Sequence, residues 1–235
     1  MKYAITLISV CALLLGCGCT KDYGNPTTKN YAINGAYDGL SVSHAFEVTM
    51  SDGVSDVVVT VGEKAHDLLD IYVKNGVLHI GFKPVTSYNG TAKAVIPTSL
   101  IRDLNLSGAS SFTGDLSGNE VDVDLSGASI YRGNVVASEF AVDLSGASKA
   151  IVAGTDVSKM EIELSGASDL NAEYLETQSV EGDISGASKA DVTCCTSLRV
   201  NLSGASTLTY GLVSSDCHPT DDCTCTGGST VRVRW

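Results

Sequence analysis

The sequence predicts an all-β fold, a parallel β-helix or solenoid built from coils of about 19 residues. Two observations carry that prediction: a five-residue phrase that recurs at near-constant spacing, and an alternation of apolar and polar side chains before each copy. The phrase is Leu106-Ser-Gly-Ala-Ser110, with further copies at Leu125–Ser129, Leu144–Ser148, Leu164–Ser168, Ile184–Ser188 and Leu202–Ser206. Successive copies lie 19, 19, 20, 20 and 18 residues apart. That period is too short for one domain per repeat. It fits a coil that buries its apolar face only by stacking on its neighbours.

From the N-terminus, Lys2 precedes an apolar stretch, Tyr3–Leu15, too short to span a bilayer comfortably. Leu14-Leu15-Gly16-Cys17 has the form of a bacterial lipobox, so residues 1–16 read as a lipoprotein signal peptide and Cys17 as the lipid anchor. Cys19 follows a poorer match. Residues 17–30 are polar, contain Pro26 and read as a lipidated, flexible tether. Residues 31–97 read as a β-rich lead-in packed on the solenoid. Strand-like runs occur at Ala45–Met50, Asp56–Val61, Ile71–Lys74, Val77–Phe82 and Ala92–Ile96. Asn75-Gly76 between two of them signals a two-residue hairpin, and Lys64–Asp70 suits a short helix. Pro97, which has no amide hydrogen to give a central ladder, marks the boundary.

Residues 98–235 hold the solenoid. Runs such as Val121-Asp-Val-Asp-Leu125, Met160-Glu-Ile-Glu-Leu164 and Leu198-Arg-Val-Asn-Leu202 alternate with period two, which buries one face of a strand. In each corner the glycine supplies backbone freedom, the alanine is expected to point inward, and the serines to bond nearby backbone. Six copies of one serine argue for architecture, because a nucleophile needs a single activated residue beside a base. The cysteine-rich loop 214–228 interrupts the last coil. Val231-Arg-Val-Arg-Trp235 reads as a cap strand, residues 230–235, that stops where a corner is due, with Trp235 at the Leu202 position covering the open end.

The chain carries 15 basic and 27 acidic residues, a net charge of −12. Such a balance argues against nucleic acid as a partner. The candidate contact surface is the outward face of the strand before each corner, where Asp122, Asp124, Asp143, Glu161, Glu163, Glu181 and Asp183 fall into columns. A solvated face, a bridged divalent cation, a basic protein or a hydroxyl-rich glycan all suit those columns. A polysaccharide lyase or glycosidase on the same scaffold is the enzymatic alternative. The acids repeat evenly, however, and an active site breaks a repeat. His44, His66 and His79 match no zinc-enzyme spacing, and the coils are not divided into hexapeptides as acyltransferase solenoids are. Cys194, Cys195, Cys217, Cys223 and Cys225 are candidate disulfide partners in an oxidising envelope, Cys194 and Cys195 pointing apart. Zinc on Cys217, His218, Cys223 and Cys225 is an alternative of non-standard spacing. No cofactor, catalytic residue or metal site is expected.

The lipobox, the lead-in segments Ala45-Phe-Glu-Val-Thr49 and Val73-Lys-Asn-Gly-Val-Leu-His-Ile80, and the serial Ser-Gly-Ala-Ser corners together resemble the putative auto-transporter adhesin, head GIN domain family of Bacteroidetes lipoproteins. The resemblance covers nearly the whole mature chain. It implies a β-solenoid with sheets joined by tight Gly/Ser turns and offers no catalytic residues to carry over. The expectation is a lipid-anchored, non-catalytic binding or adhesion module of the cell envelope, in the outer membrane, periplasmic or surface-exposed. Its partners would be glycans or envelope and host surface proteins, and the membrane through its lipid. A carbohydrate-active enzyme or a structural envelope protein are the alternatives.

Overall fold

Each period-two run before a corner becomes a strand of one parallel sheet, and each shorter run after it a strand of a second. The computed structural model describes residues 22–84 and 87–234. The leader 1–16, the Cys17 anchor, Cys19 and the Trp235 cap lie outside the described residues. The N-terminal strands are β1 (Pro26–Tyr31), β2 (Gly39–Val42), β3 (Glu47–Ser51), β4 (Val57–Gly62), β5 (Leu69–Lys74), β6 (Val77–Phe82) and β7 (Lys93–Pro97). The coils continue through β8 (Asp103–Leu106), β9 (Ser111–Thr113), β10 (Leu116–Ser117), β11 (Glu120–Leu125), β12 (Ile130–Val136) and β13 (Glu139–Leu144). Then β14 (Lys149–Leu164), β15 (Asp169–Ile184) and β16 (Lys189–Leu202) each run through both sheets without a break in strand structure. The end is β17 (Thr207–Leu212), β18 (Thr220–Asp221), β19 (Thr224–Cys225) and β20 (Thr230–Val233).

Register is one coil up, same position across. In the first sheet Leu104, Val123, Val142, Ile162, Gly182 and Val200 are successive neighbours facing the core. In the second, Phe112, Tyr131, Ala150, Leu170, Ala190 and Leu208 form the matching inward column. Phe112 and Tyr131 stack with centroids 6.0 Å apart, and the alanines above them keep the column's total volume in bounds. Gly182 aside, these residues are almost wholly buried; each buried Leu, Val or Phe contributes about 2 kcal/mol.

The corner departs from expectation in one respect. The alanines at 109, 128, 147, 167, 187 and 205 are exposed, and the second serine of each phrase is the inward residue. Turn geometry decides this. Ser110, Ser129, Ser148, Ser168 and Ser206 donate their hydroxyls to the carbonyl three residues back at 2.6–2.8 Å. That bond lets a polar group be buried at little cost, which an alanine does not need. Gly146 shows why glycine sits at the bend: its φ is +74° and a Cβ there would stand 2.6 Å from the Gly127 carbonyl oxygen. Ala147 donates its amide to that same oxygen at 2.7 Å, so corners are stitched directly to each other.

The lead-in strands continue both sheets. β2 lies between β6 and β8 in the first sheet, and β3 between β7 and β9 in the second. The turn joining β2 to β3 is Ser43-His44-Ala45-Phe46, a corner without glycine whose His44 and Ala45 take φ of 62° and 60°. Phe46 fills the inward serine's place and packs on Phe82 at 5.2 Å. Antiparallel strands close this end: β5 on β6, β4 on β7, and β1 on β4. Asn75 and Gly76, both left-handed, form the expected hairpin turn. The short helix is a 3-10 turn, Glu63–Leu68. Residues 26–30, expected in the tether, belong instead to β1, whose edge pairs fully with β4.

The other end also corrects the sequence reading. Thr226-Gly227-Gly228-Ser229 is a further corner, with Gly228 donating to the Gly204 carbonyl at 2.7 Å and Ser229 Oγ to the Thr226 carbonyl at 2.8 Å. The expected cap strand therefore lies after a corner, with β20 pairing β17 of the second sheet. The cysteine-rich loop holds β18 and β19, which lie on β16. Of the five candidate cysteines, Cys195 is bonded to Cys217. Cys194 is a buried thiol on the opposite side of the strand, and Cys223 and Cys225 are also thiols. With Cys217 in the disulfide, the zinc alternative loses a ligand.

Candidate ligand-contact face

The outward face of the first sheet gathers the acids that the alternation singled out. One column runs Asp103, Asp122, Ala141, Glu161, Glu181 and Arg199; its neighbour runs Asn105, Asp124, Asp143, Glu163, Asp183 and Asn201. A third begins Glu120, Glu139, Lys159. Arg232 and Arg234, which the sequence pattern puts at the column ends, lie with the second sheet because β20 follows a corner. Their places belong to Asp222, 3.7 Å from Arg199, and to Thr224, whose hydroxyl donates to Asn201 at 2.5 Å.

Ala141 makes the face concave. Its methyl group stands in a column otherwise occupied by longer carboxylate and guanidinium side chains, so β13 is the floor of a shallow trough between β11 and β14. Glu120, Asp122, Glu139, Lys159 and Glu161 surround a hollow of about 160 Å³ at one end. A middle hollow of about 110 Å³ is framed by Asp122, Asp124, Asp143, Glu161 and Glu163. A further hollow of about 220 Å³ lies near the corners, over β11, beside Asn105, Asp124, Asp143, Ser126 and Ser145.

The charges are close enough to feel each other. Burial first, then Asp143, Asp103 and Asp122, raise Asp124 above the usual aspartate value. Asp103 is raised by burial and by Asp122 and Asp38, and Arg102 partly opposes the shift. Neighbouring carboxylates about 5 Å apart repel by on the order of 1 kcal/mol in water. One cation stands among them, and the sequence reading overlooked it: Lys159 pairs with Glu181 and lies 3.6 Å from Glu161. Its hydrogen bond to Glu181 and the charges around it raise its pKa. A lysine held in its ammonium form is poorly suited to abstract a proton from a uronate, the step a lyase requires. Among the described residues no group of three or more His, Cys, Asp or Glu is arranged to hold a metal ion.

A family profile described as "Putative auto-transporter adhesin, head GIN domain" matches residues 36–211. No curated protein matches. Among solved structures, a putative adhesin from Bacteroides fragilis superposes with a TM-score of 0.77 at 15% identity, over 89% of this chain and 97% of that one. A putative adhesin from Parabacteroides distasonis gives 0.68 at 20% identity, over 92% and 99%. A putative lipid binding protein from the same species gives 0.69 at 19%, over 90% and 98%. At these identities the likeness is one of fold.

Proposed function

The chain belongs to the putative auto-transporter adhesin, head GIN domain family, and from that premise we propose that it is a non-catalytic binding module of the cell envelope. In this reading it is lipid-anchored through Cys17 and presents the acidic face of its first sheet. The observation that supports the reading is the register that sets Asp122, Asp124, Asp143, Glu161, Glu163, Glu181 and Asp183 in neighbouring columns on one outer face. Stacked like charges weaken the rod they stand on, so a partner that uses them explains their presence. Ammonium and guanidinium groups of a basic envelope or host protein would neutralise them; hydroxyls of a glycan would donate to them. Evenly repeated weak contacts then add through multivalency.

The test compares the wild-type chain with a variant carrying Asp122, Asp124, Asp143, Glu161 and Glu163 all as Ser, on a glycan array and on intact target cells. Loss of about tenfold or more in binding is expected; unchanged binding removes this face as the contact surface. Cys17→Ala should shift the protein from the membrane to the soluble fraction. Protease shaving of intact cells distinguishes a surface position from a periplasmic one.

A further inference from the structure

The two ends of the stack are finished differently. At the N-terminal end the 3-10 turn Glu63–Leu68 crosses from β4 of the second sheet to β5 of the first and buries Ala65 and His66 over the core. The chain enters at that end, where the carbonyls of Tyr23 and Asn25 accept the amides of Lys64 and Glu63. At the C-terminal end no described element crosses. β20 pairs with β17 alone, and β18 and β19 with β16 alone, so their outer edges carry unused amide and carbonyl groups. One coil below, the inward residues Val200, Leu202, Leu208 and Tyr210 are buried. Their successors in the last coil are Cys223, Cys225, Val231 and Val233, half-buried or exposed, with Val233 at 37%. A terminal coil needs a polar outer face or a cover, and these inward positions hold two thiols and two valines. Charge on the last strands is divided by sheet. The first-sheet edge carries Asp222, and the second-sheet edge carries Arg232 and Arg234, Arg234 being drawn down to Asp191 and Glu173.

Resting on the reading of the chain as a lipid-anchored binding module, we propose that the C-terminal end docks a second copy of this chain, end to end, and so joins molecules anchored on two facing membranes. Two two-fold arrangements bring such ends together. In one, each sheet abuts its own kind: acidic edge meets acidic edge, and arginine edge meets arginine edge. In the other, the axis lies in the end plane parallel to the strands, and each β20 pairs antiparallel with the partner's β18 and β19. There Arg232 of each copy meets the edge that carries the partner's Asp222, while Val231 and Val233 cover the partner's Cys225 and Cys223. Charge and apolar match both select the second. The contact is isologous, so it closes at two copies. The end of one coil is smaller than a standard interface, so a single pair is weak, with a Kd of about 10 µM or above. Many copies on facing surfaces add. Because the chain enters at the opposite end, the two anchors of a pair point away from each other.

Sedimentation equilibrium of the full chain in density-matched detergent should show a monomer–dimer equilibrium that dithiothreitol leaves unchanged. Arg232→Glu and Asp222→Arg should each weaken it about tenfold or more, and the two together should restore it. Val233→Asp should abolish it, and all variants should unfold thermally like wild type. Liposomes carrying the lipidated chain should cluster, and those carrying Arg232→Glu should stay dispersed. The inference is overturned by a chain that stays monomeric up to about 1 mM, by a dimer that dithiothreitol dissolves, or by open-ended polymers. A dimer indifferent to both Arg232→Glu and Val233→Asp, or protein-bearing liposomes that never cluster, overturns it equally. If it fails while the five-serine variant still loses target binding, the acidic face stands alone. If pairing holds and the five-serine variant binds targets like wild type, the acidic face fails alone. A wild-type chain that does not float with liposomes refutes the anchor and the bridge with it.

Discussion

The two outer faces of this stack rest on the same backbone and the same core, yet they handle charge in opposite ways. On the second sheet opposite charges are neighbours: Lys93 with Glu47 at 2.8 Å, Lys149 with Asp169 at 2.6 Å, and Arg234 drawn in by Asp191 and Glu173. On the first sheet carboxylates stack on carboxylates through the middle coils, with Lys159 the counter-charge in their midst and the pairs Arg102–Asp38 and Arg199–Asp222 at the two ends. Since one face shows that the fold is made with compensated columns, the solenoid does not require the other face to be uncompensated. What folding fixes here is the inward column and the corner. Outward chemistry is free to vary, and a face that keeps an unfavourable arrangement points to use.

The largest expected effect tests whether the two faces are one cooperative body. Gly146→Ala puts a methyl 2.6 Å from the Gly127 carbonyl at a left-handed position, and should cost about 3 kcal/mol or more. Gly228→Ala in the last corner, where the nearest atom is at 3.7 Å and φ is not left-handed, should be nearly neutral. Urea unfolding followed by circular dichroism reads both; equal costs would mean that the corner contact does not tie the faces together.

A smaller effect belongs to the first face alone. Because the folded-state pKa of Asp124 is raised, its favourable contribution is fully present below the ordinary value of 3.8 and is lost as pH rises through the folded value. Asp124→Asn should therefore stabilise the protein at neutral pH by under about 1 kcal/mol after solvent screening, and flatten the rise in melting temperature on acidification through the carboxylate range. A melting temperature that falls at neutral pH in this variant would contradict strain on the acidic face.

The smallest effect contrasts the lysines. Lys149→Ala breaks an exposed pair on the second face and should cost about 0.5 kcal/mol. Lys159→Ala removes the counter-charge of the first face, so added salt should stabilise that variant more steeply than wild type. Identical salt slopes for wild type and both variants would erase the distinction between the faces.

The fold was legible because the repeat states it six times over. The parallel stack, the register of the seven acids and the Asn75-Gly76 hairpin all follow from local patterns the structure keeps. Corners that lack the phrase were not legible. Ser43-His-Ala-Phe46 forces non-glycine residues into left-handed geometry, and Thr226-Gly-Gly-Ser229 lies in a loop crowded with cysteines. Missing the second put Arg232 and Arg234 on the wrong sheet, half a coil from their places. The direction of the alanines was ambiguous because alanine and serine are both small enough for a bend; the hydroxyl's bond to the carbonyl three residues back decides it. Ala141 could be read as a gap in a column, but a trough emerges only when β11 and β14 stand on either side.

The stitching of one corner to the next has an evolutionary consequence. Every interior coil meets its neighbours through the same glycine carbonyl and alanine amide, so the junction after Leu125 and the junction after Leu144 are interchangeable. Excising residues 126–144 would join Leu125 to Ser145 with the joint unaltered, shortening the rod by one strand spacing, about 4.8 Å. Duplication of that segment would lengthen it by the same step. The length of the rod is thereby heritable in discrete increments, open to change by recombination between near-identical stretches without reinventing a single contact.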